Sequence, residues 1–127
     1  MKKPNASYIA GFFDGEGCIW IVPGKRGTGP GRVYLRMDQK YPSVLMKIKA
    51  SLSYGRIHRS TRSGQYHLQV LQQDEISNFI RLILPYSIVK LPQLLLAIEF
   101  MKVKTTLTKR QKYRFLKKMQ RLKRIPH

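Results

Sequence analysis

Two carboxylates, Asp14 and Glu16, stand two residues apart in the stretch Tyr8-Ile9-Ala10-Gly11-Phe12-Phe13-Asp14-Gly15-Glu16-Gly17. The stretch is apolar before them, which predicts a short helix. Asn5 or Ser7 can cap its start, and Gly15 and Gly17 can supply the turn that ends it. Both acids then fall at the negative end of the helix dipole, where a carboxylate is disfavoured by about 0.3–1 kcal/mol. A cation placed there reverses the sign of that term. A hard divalent ion such as Mg²⁺ takes carboxylate, carbonyl and water oxygens, and a helix end of this kind offers all three. An ordinary surface helix can also end in glycines and acids. Composition argues against that here, because two of only six acids in a chain with 25 Lys and Arg sit inside its most apolar early segment.

Gly11 and Gly15 are four apart, so they share one helix face and leave it bare. Bare faces let two backbones approach closely. A second copy of the same helix would fit there and would bring two acidic ends side by side.

The elements that must position these groups come from the rest of the chain. With 127 residues, a single domain over 1–127 with one core is expected. The net charge of +19 repels itself unless a polyanion shares the surface, which makes nucleic acid the leading partner. No uninterrupted apolar run approaches the ~20 residues of a membrane span. The basic start Met1-Lys2-Lys3-Pro4 leads into a stretch holding Asp14 and Glu16, unlike a secretory signal. The single Cys18 excludes an internal disulfide and, with no His at ligand spacing, a zinc constellation. An intracellular setting is the default.

Cys18-Ile19-Trp20-Ile21-Val22 reads as a strand, and Pro23 to Gly31 as a loop carrying Lys25 and Arg26. Arg32-Val33-Tyr34-Leu35-Arg36-Met37-Asp38 alternates, with Val33, Leu35 and Met37 on one face and Arg32, Tyr34 and Arg36 on the other, as in a half-buried strand. Pro42 opens a helix lined by Val44, Leu45, Ile48 and Leu52, with Gly55 at its exit. A second hairpin follows. Arg56, His58, Ser60 and Arg62 lie on its polar side, the turn falls near Ser63-Gly64, and the return strand places Tyr66, Leu68 and Val70 inward and Gln65, His67 and Gln69 outward. Arg, Gln, His and Ser are side chains that bond base edges and phosphates. Asp74 and Glu75 begin a helix with Ile76, Phe79, Ile80 and Ile83 on its apolar face, stopped by Pro85. Leu91, Leu94, Leu95, Ile98 and Met101 are expected to line another. The last helix, about 108–124, starts at a capping pattern, Thr108-x-x-Gln111, and has nine basic residues and no acid between Lys109 and Arg124. Two hairpins able to form one antiparallel sheet, backed by helices, make an α+β domain. The sheet's polar face is the natural DNA surface.

The run Ile9-Ala10-Gly11-Phe12-Phe13-Asp14-Gly15-Glu16-Gly17 resembles the signature helix of the LAGLIDADG homing endonucleases, with Gly, Asp, Gly, acid and Gly in register. The run from Leu84-Pro85 through Lys90, Gln93, Ala97 and Phe100 is similar too. The resemblance implies an αββαββα order and an antiparallel, saddle-shaped sheet backed by helices and seated on double-stranded DNA. One motif implies the homodimeric kind, paired through the Tyr8–Gly17 helix with Gly11, Phe12, Asp14 and Gly15 at the interface. It implies Glu16 and the Gly15 carbonyl as ligands of Mg²⁺ or Mn²⁺, and Gln39 and Lys90 as residues beside the reacting phosphates. Trp20, Arg26, Arg32, Tyr34 and Arg36, together with Arg56, His58, Ser60, Arg62, Gln65, His67 and Gln69, are the implied DNA contacts. A basic group of some relatives falls at Ser43, where this chain departs from the pattern. The implied activity of such an intron-encoded enzyme is a metal-dependent double-strand break at a long, partly palindromic site. Organelles, bacteria and phages are all possible settings. Two rival readings are a cleavage-inactive relative acting as an RNA-binding intron maturase or a regulator, and a basic ribosomal-type RNA-binding protein.

Overall fold

Alternation of apolar and polar side chains organises the sheet. The computed structural model describes residues 3–24 and 31–124. The chain forms helix α1 (Ala6–Glu16), strands β1 (Gly17–Val22) and β2 (Arg32–Gln39), and helix α2 (Ser43–Leu52). Strands β3 (Arg56–Arg59) and β4 (Tyr66–Val70) follow, then helices α3 (Gln73–Ile83), α4 (Leu91–Val103) and α5 (Lys109–Lys123). The four strands make one antiparallel sheet in the order β1-β2-β4-β3. The expected αββαββα order is present, followed by two further helices.

One side of every strand is buried. Ile19 and Ile21 of β1, Val33, Leu35 and Met37 of β2, and Leu68 and Val70 of β4 are closed to solvent. They meet Ile9, Ala10 and Phe13 of α1 and Ile76, Phe79, Ile80 and Ile83 of α3 in a single core. Fully burying each such side chain contributes about 1.5–3 kcal/mol, so register is strongly specified. A one-residue slip would expose a whole strand face.

The helix ends follow local chemistry. Asn5 caps α1 by accepting the Tyr8 N–H at 2.9 Å. Thr108 and Gln111 form the reciprocal capping box expected for α5. Asp74 and Glu75 occupy the first turn of α3, at the positive pole of its dipole.

Some expectations are corrected. Neither Gly15 nor Gly17 supplies a left-handed turn, because Gly17 has φ −89°. Gly17 is needed for close approach instead, since a Cβ there would overlap the Phe13 ring. The inward face of α4 is Gln93, Leu94, Leu96, Ala97 and Phe100, while Leu95 is half exposed. This helix is apolar nearly all round, so periodicity could not choose its face. Strand β3 stops at Arg59. Ser60, Arg62 and Gln65 therefore belong to the hairpin turn, closed by the Ser60 N–H donating to the Gln65 carbonyl at 2.8 Å.

Candidate active site and nucleic-acid interface

The two carboxylates of α1 have separate fates. Position 14 follows Ala10 and Phe13 around the helix, on the buried side. Its carboxylate accepts the backbone N–H groups of Ile88, Val89 and Lys90 at 2.9, 3.2 and 3.1 Å. These three residues lead into α4, so Asp14 sits at that helix's positive pole, where an anion is stabilised. In return the Lys90 ammonium donates to the Asp14 backbone carbonyl at 2.6 Å, at the negative pole of α1. Each helix thus closes the end of the other. Asp14, expected at a subunit interface, spends its carboxylate inside the chain.

Glu16 is the last residue of α1 and is exposed. Among the described residues its carboxylate has no hydrogen-bond or ion-pair partner. The neighbouring Gly15 carbonyl lies in the last turn, where a helix supplies no N–H of its own. One carboxylate and one carbonyl are hard oxygen donors of the type Mg²⁺ or Ca²⁺ accepts, with waters or phosphate oxygens completing the shell. The donor chemistry therefore fits a divalent ion. Among the described residues, no three His, Cys, Asp or Glu side chains gather to form a closed cage.

Lys90 stands beside this corner. It is half-buried, with its ammonium 5.9 Å from the Phe13 ring centroid. Burial pushes its pKa below the usual lysine value and the charge of Lys123 adds to that, while Asp14, Cys18 and Glu16 oppose it. Gln39 ends β2, two residues past Met37, the pairing partner of Gly17. Its strand parity matches Met37 and places it on the helix side of the sheet, whereas the arginines of β2 point the other way.

That other face is basic and aromatic. Trp20 and Tyr34 are cross-strand partners with stacked rings, centroids 5.4 Å apart. The Arg36 guanidinium lies 5.6 Å from the Trp20 centroid and that of Arg32 lies 5.8 Å from Tyr34. Arg32 also donates to the Leu71 carbonyl at 2.8 Å. A second row crosses three strands, with Asp38 paired to His67 and His67 paired to His58. Asp38 Oδ1 is 2.5 Å from His67 Nδ1. Arg36 Nε lies 3.3 Å from the same oxygen, near enough for charge attraction, yet its N–H is not aligned to hydrogen-bond there. His67 was expected outward and open, but its neighbours leave it only 7% exposed. His58, whose ring centroid is 5.1 Å from that of His67, remains partly accessible. Burial pushes its pKa below the usual histidine value, aided by His67, Arg56 and Arg36 and opposed by Asp38. Gln69 and Arg56 continue the Arg36 row across β4 and β3. Arg62 is exposed at the hairpin tip. Arg26 lies outside the described residues.

Gly11 and Gly15 face open space. With Tyr8 and Phe12 they make one i, i+3, i+4, i+7 stripe along α1. Exposed apolar side chains flank its end, Tyr86 at 52% and Ile88 at 81%. Sequence reasoning missed these two, the Asp14–Lys90 clasp, the holding role of Asp38, and Lys123. The last of these brings its ammonium to the start of β1, 3.7 Å from Cys18 Sγ.

Comparison with known proteins agrees with this geometry. Residues 9–94 match the family model described as LAGLIDADG endonuclease. The chain belongs to the LAGLIDADG endonuclease family, and by class it is a site-specific DNA endonuclease. No curated protein matches the chain. Among solved structures it is similar to the homing endonuclease I-CvuI in complex with the I-CreI target in the presence of Mg. The identity is 21% over 95% of this chain and 83% of that one, with a TM-score of 0.78. It is also similar to the archaeal intron-encoded homing endonuclease I-Vdi141I complexed with DNA, at 24% identity over 96% and 84% of the chains and a TM-score of 0.70. The homing endonuclease I-TnaI matches at 19% identity over 97% and 96%, with a TM-score of 0.68. Among the described residues no helix is long and apolar enough to cross a membrane.

Proposed function

We propose that this chain acts as a homodimer that makes a double-strand break in a long, partly palindromic DNA target with the help of bound divalent metal. The observation that carries this reading is the division of labour at the end of α1. Asp14 is consumed by backbone N–H groups of the lead-in to α4, while Glu16, two residues on, is exposed and has no partner among the described residues. An unneutralised carboxylate on a surface of net charge +19 suits a cation site next to a polyanion.

Glu16 and the Gly15 carbonyl would hold Mg²⁺ or Mn²⁺, which when bound activates water and stabilises charge on the leaving oxygen. Lys90 would place its ammonium against the phosphate and offset negative charge as it develops. Gln39 would orient water by hydrogen bonding. The open sheet face would seat the duplex, with Trp20 and Tyr34 holding Arg36 and Arg32 in reach of bases and phosphates. Stripes of Tyr8, Gly11, Phe12 and Gly15 from two copies would pack together, each bare glycine admitting the other backbone, and would bring the two Glu16 residues close. Two-fold symmetry in the protein would then impose two-fold symmetry on the site.

The test is cleavage selection from a randomised duplex library with Mg²⁺ or EDTA, using wild type and Glu16→Gln. Partly palindromic cut sites are expected with wild type and Mg²⁺. They should vanish in EDTA, and the rate should fall by at least about 10³-fold in the variant, whose duplex retention is kept because the sheet is unchanged. Cutting by Glu16→Gln at the wild-type rate would remove the metal assignment. Metal-independent retention without any cutting would favour a binding protein on the same fold.

A further inference from the structure

Helix α5 carries its last lysine, Lys123, across to β1. The ammonium lies 3.7 Å from Cys18 Sγ and 5.9 Å from the Trp20 ring centroid. Cys18 and Trp20 are the first outward residues of β1, and β1 begins at Gly17, directly after Glu16. Lys123 also acts electrostatically on Lys90, pressing its pKa down. The corner beside Glu16 is therefore reached by two ammonium groups from opposite ends of the sequence.

The two are held in different ways. Lys90 is half-buried and its ammonium is bonded to the Asp14 carbonyl. Lys123 is exposed. Its neighbours there are a sulfur, which is a weak acceptor, and the face of an indole ring. A ring face attracts an exposed cation by only about 0.5–1 kcal/mol. An ammonium has three donors and is strongly hydrated. Such a group exchanges weak partners for a phosphate oxygen at little loss when a polyanion arrives. Trp20 sets the direction of approach, since the same ring also lies under Arg36 on the DNA-facing side of the sheet.

We infer that Lys123 is a second phosphate-contacting cation of the cleavage corner, lying against a DNA backbone oxygen beside the bond that is cut and offsetting the charge that develops there. It moves no proton; its contribution is electrostatic. This gives the end of α5 a part in the chemistry beyond gripping DNA, and it rests on the endonuclease reading above.

The experiment uses the full chain on its selected target, with wild type, Lys123→Ala and Lys123→Arg. Single-turnover cutting is followed with Mg²⁺, and duplex affinity is measured in EDTA over a salt series. Lys123→Ala should cut about 30–100-fold more slowly, with a loss of affinity of no more than about fivefold. Its slope of log affinity against log salt should flatten by about one, the signature of one lost phosphate contact. Lys123→Arg should recover the rate to within about fivefold, and the thermal midpoint of Lys123→Ala should match wild type. Wild-type cutting and an unchanged slope in Lys123→Ala would overturn the inference and leave the endonuclease reading standing. Slow cutting with an unchanged slope and no rescue by arginine would also overturn it, since Lys123 would then act only by packing on Trp20. No cutting by wild type with Mg²⁺ would remove both.

Discussion

At the α1–α4 corner the charged groups are fixed by backbone, whereas on the open sheet face they are fixed by one another. Asp14 is bound by three main-chain N–H groups and Lys90 by a main-chain carbonyl. Their positions are as rigid as the two helices. Arg36, by contrast, is placed by an indole ring and by a carboxylate it shares with His67. Side chains that place side chains can be exchanged without rebuilding the fold. A chemical step requires fixed geometry, and reading a DNA sequence requires a surface that can vary. The difference between the two regions follows that division.

The largest effect comes from breaking the corner. Asp14→Ala removes the acceptor of three N–H groups at the start of α4. Charge-assisted bonds and caps of this type contribute about 1–3 kcal/mol each and are not additive, so a loss of about 2–4 kcal/mol is expected from urea unfolding. Glu16→Gln, two residues away, should change stability by less than about 0.5 kcal/mol while removing cleavage. If both variants are equally stable, the contrast between a consumed and a free carboxylate is wrong.

The sheet face should respond differently. Arg36→Ala is expected to leave the fold intact and to relax preference at one position per half-site, by about 1–3 kcal/mol if the guanidinium meets a base edge. Affinity measured over single-base variants of the target distinguishes this from a phosphate contact, which would weaken all sequences alike.

Much of this was legible in the chain. Period-two alternation gave β2 its inward Val33, Leu35 and Met37, all fully buried. The apolar face of α3 was read correctly because Ile76, Phe79, Ile80 and Ile83 recur at helical spacing beside polar neighbours. The failures share a cause, which is contact between distant segments. Asp14 and the N–H groups it binds lie 74 to 76 residues apart, and Lys123 and Cys18 lie 105 apart. No local pattern marks such pairs. His67 shows the same limit at shorter range, because its outward parity was correct and its burial depends on Asp38 across β2 and His58 across β3. Only the register of three strands reveals that row.

The smallest expected effect tests that row. His58 faces His67, Arg56 and Arg36, which disfavour its charged form, and Asp38, which favours it; burial is the largest influence, and the net result is a pKa below 6.5. The folded chain therefore binds fewer protons at His58 than the unfolded chain between that lowered value and about 6.5. Stability must rise with pH across this window. Above it both states are neutral and the contribution vanishes; below it both are charged and the folded state bears the full penalty. Thermal midpoints measured between pH 7.5 and 5 should thus fall with acid, and less so in His58→Gln. Bound DNA opposes the penalty, because phosphate favours the imidazolium, so the acid loss should shrink in the complex and duplex affinity should rise as pH falls through the same window. An identical acid profile for His58→Gln would mean that the cross-strand row does not govern this titration, and that the sheet face is as insensitive to a single side chain as the corner is dependent on one.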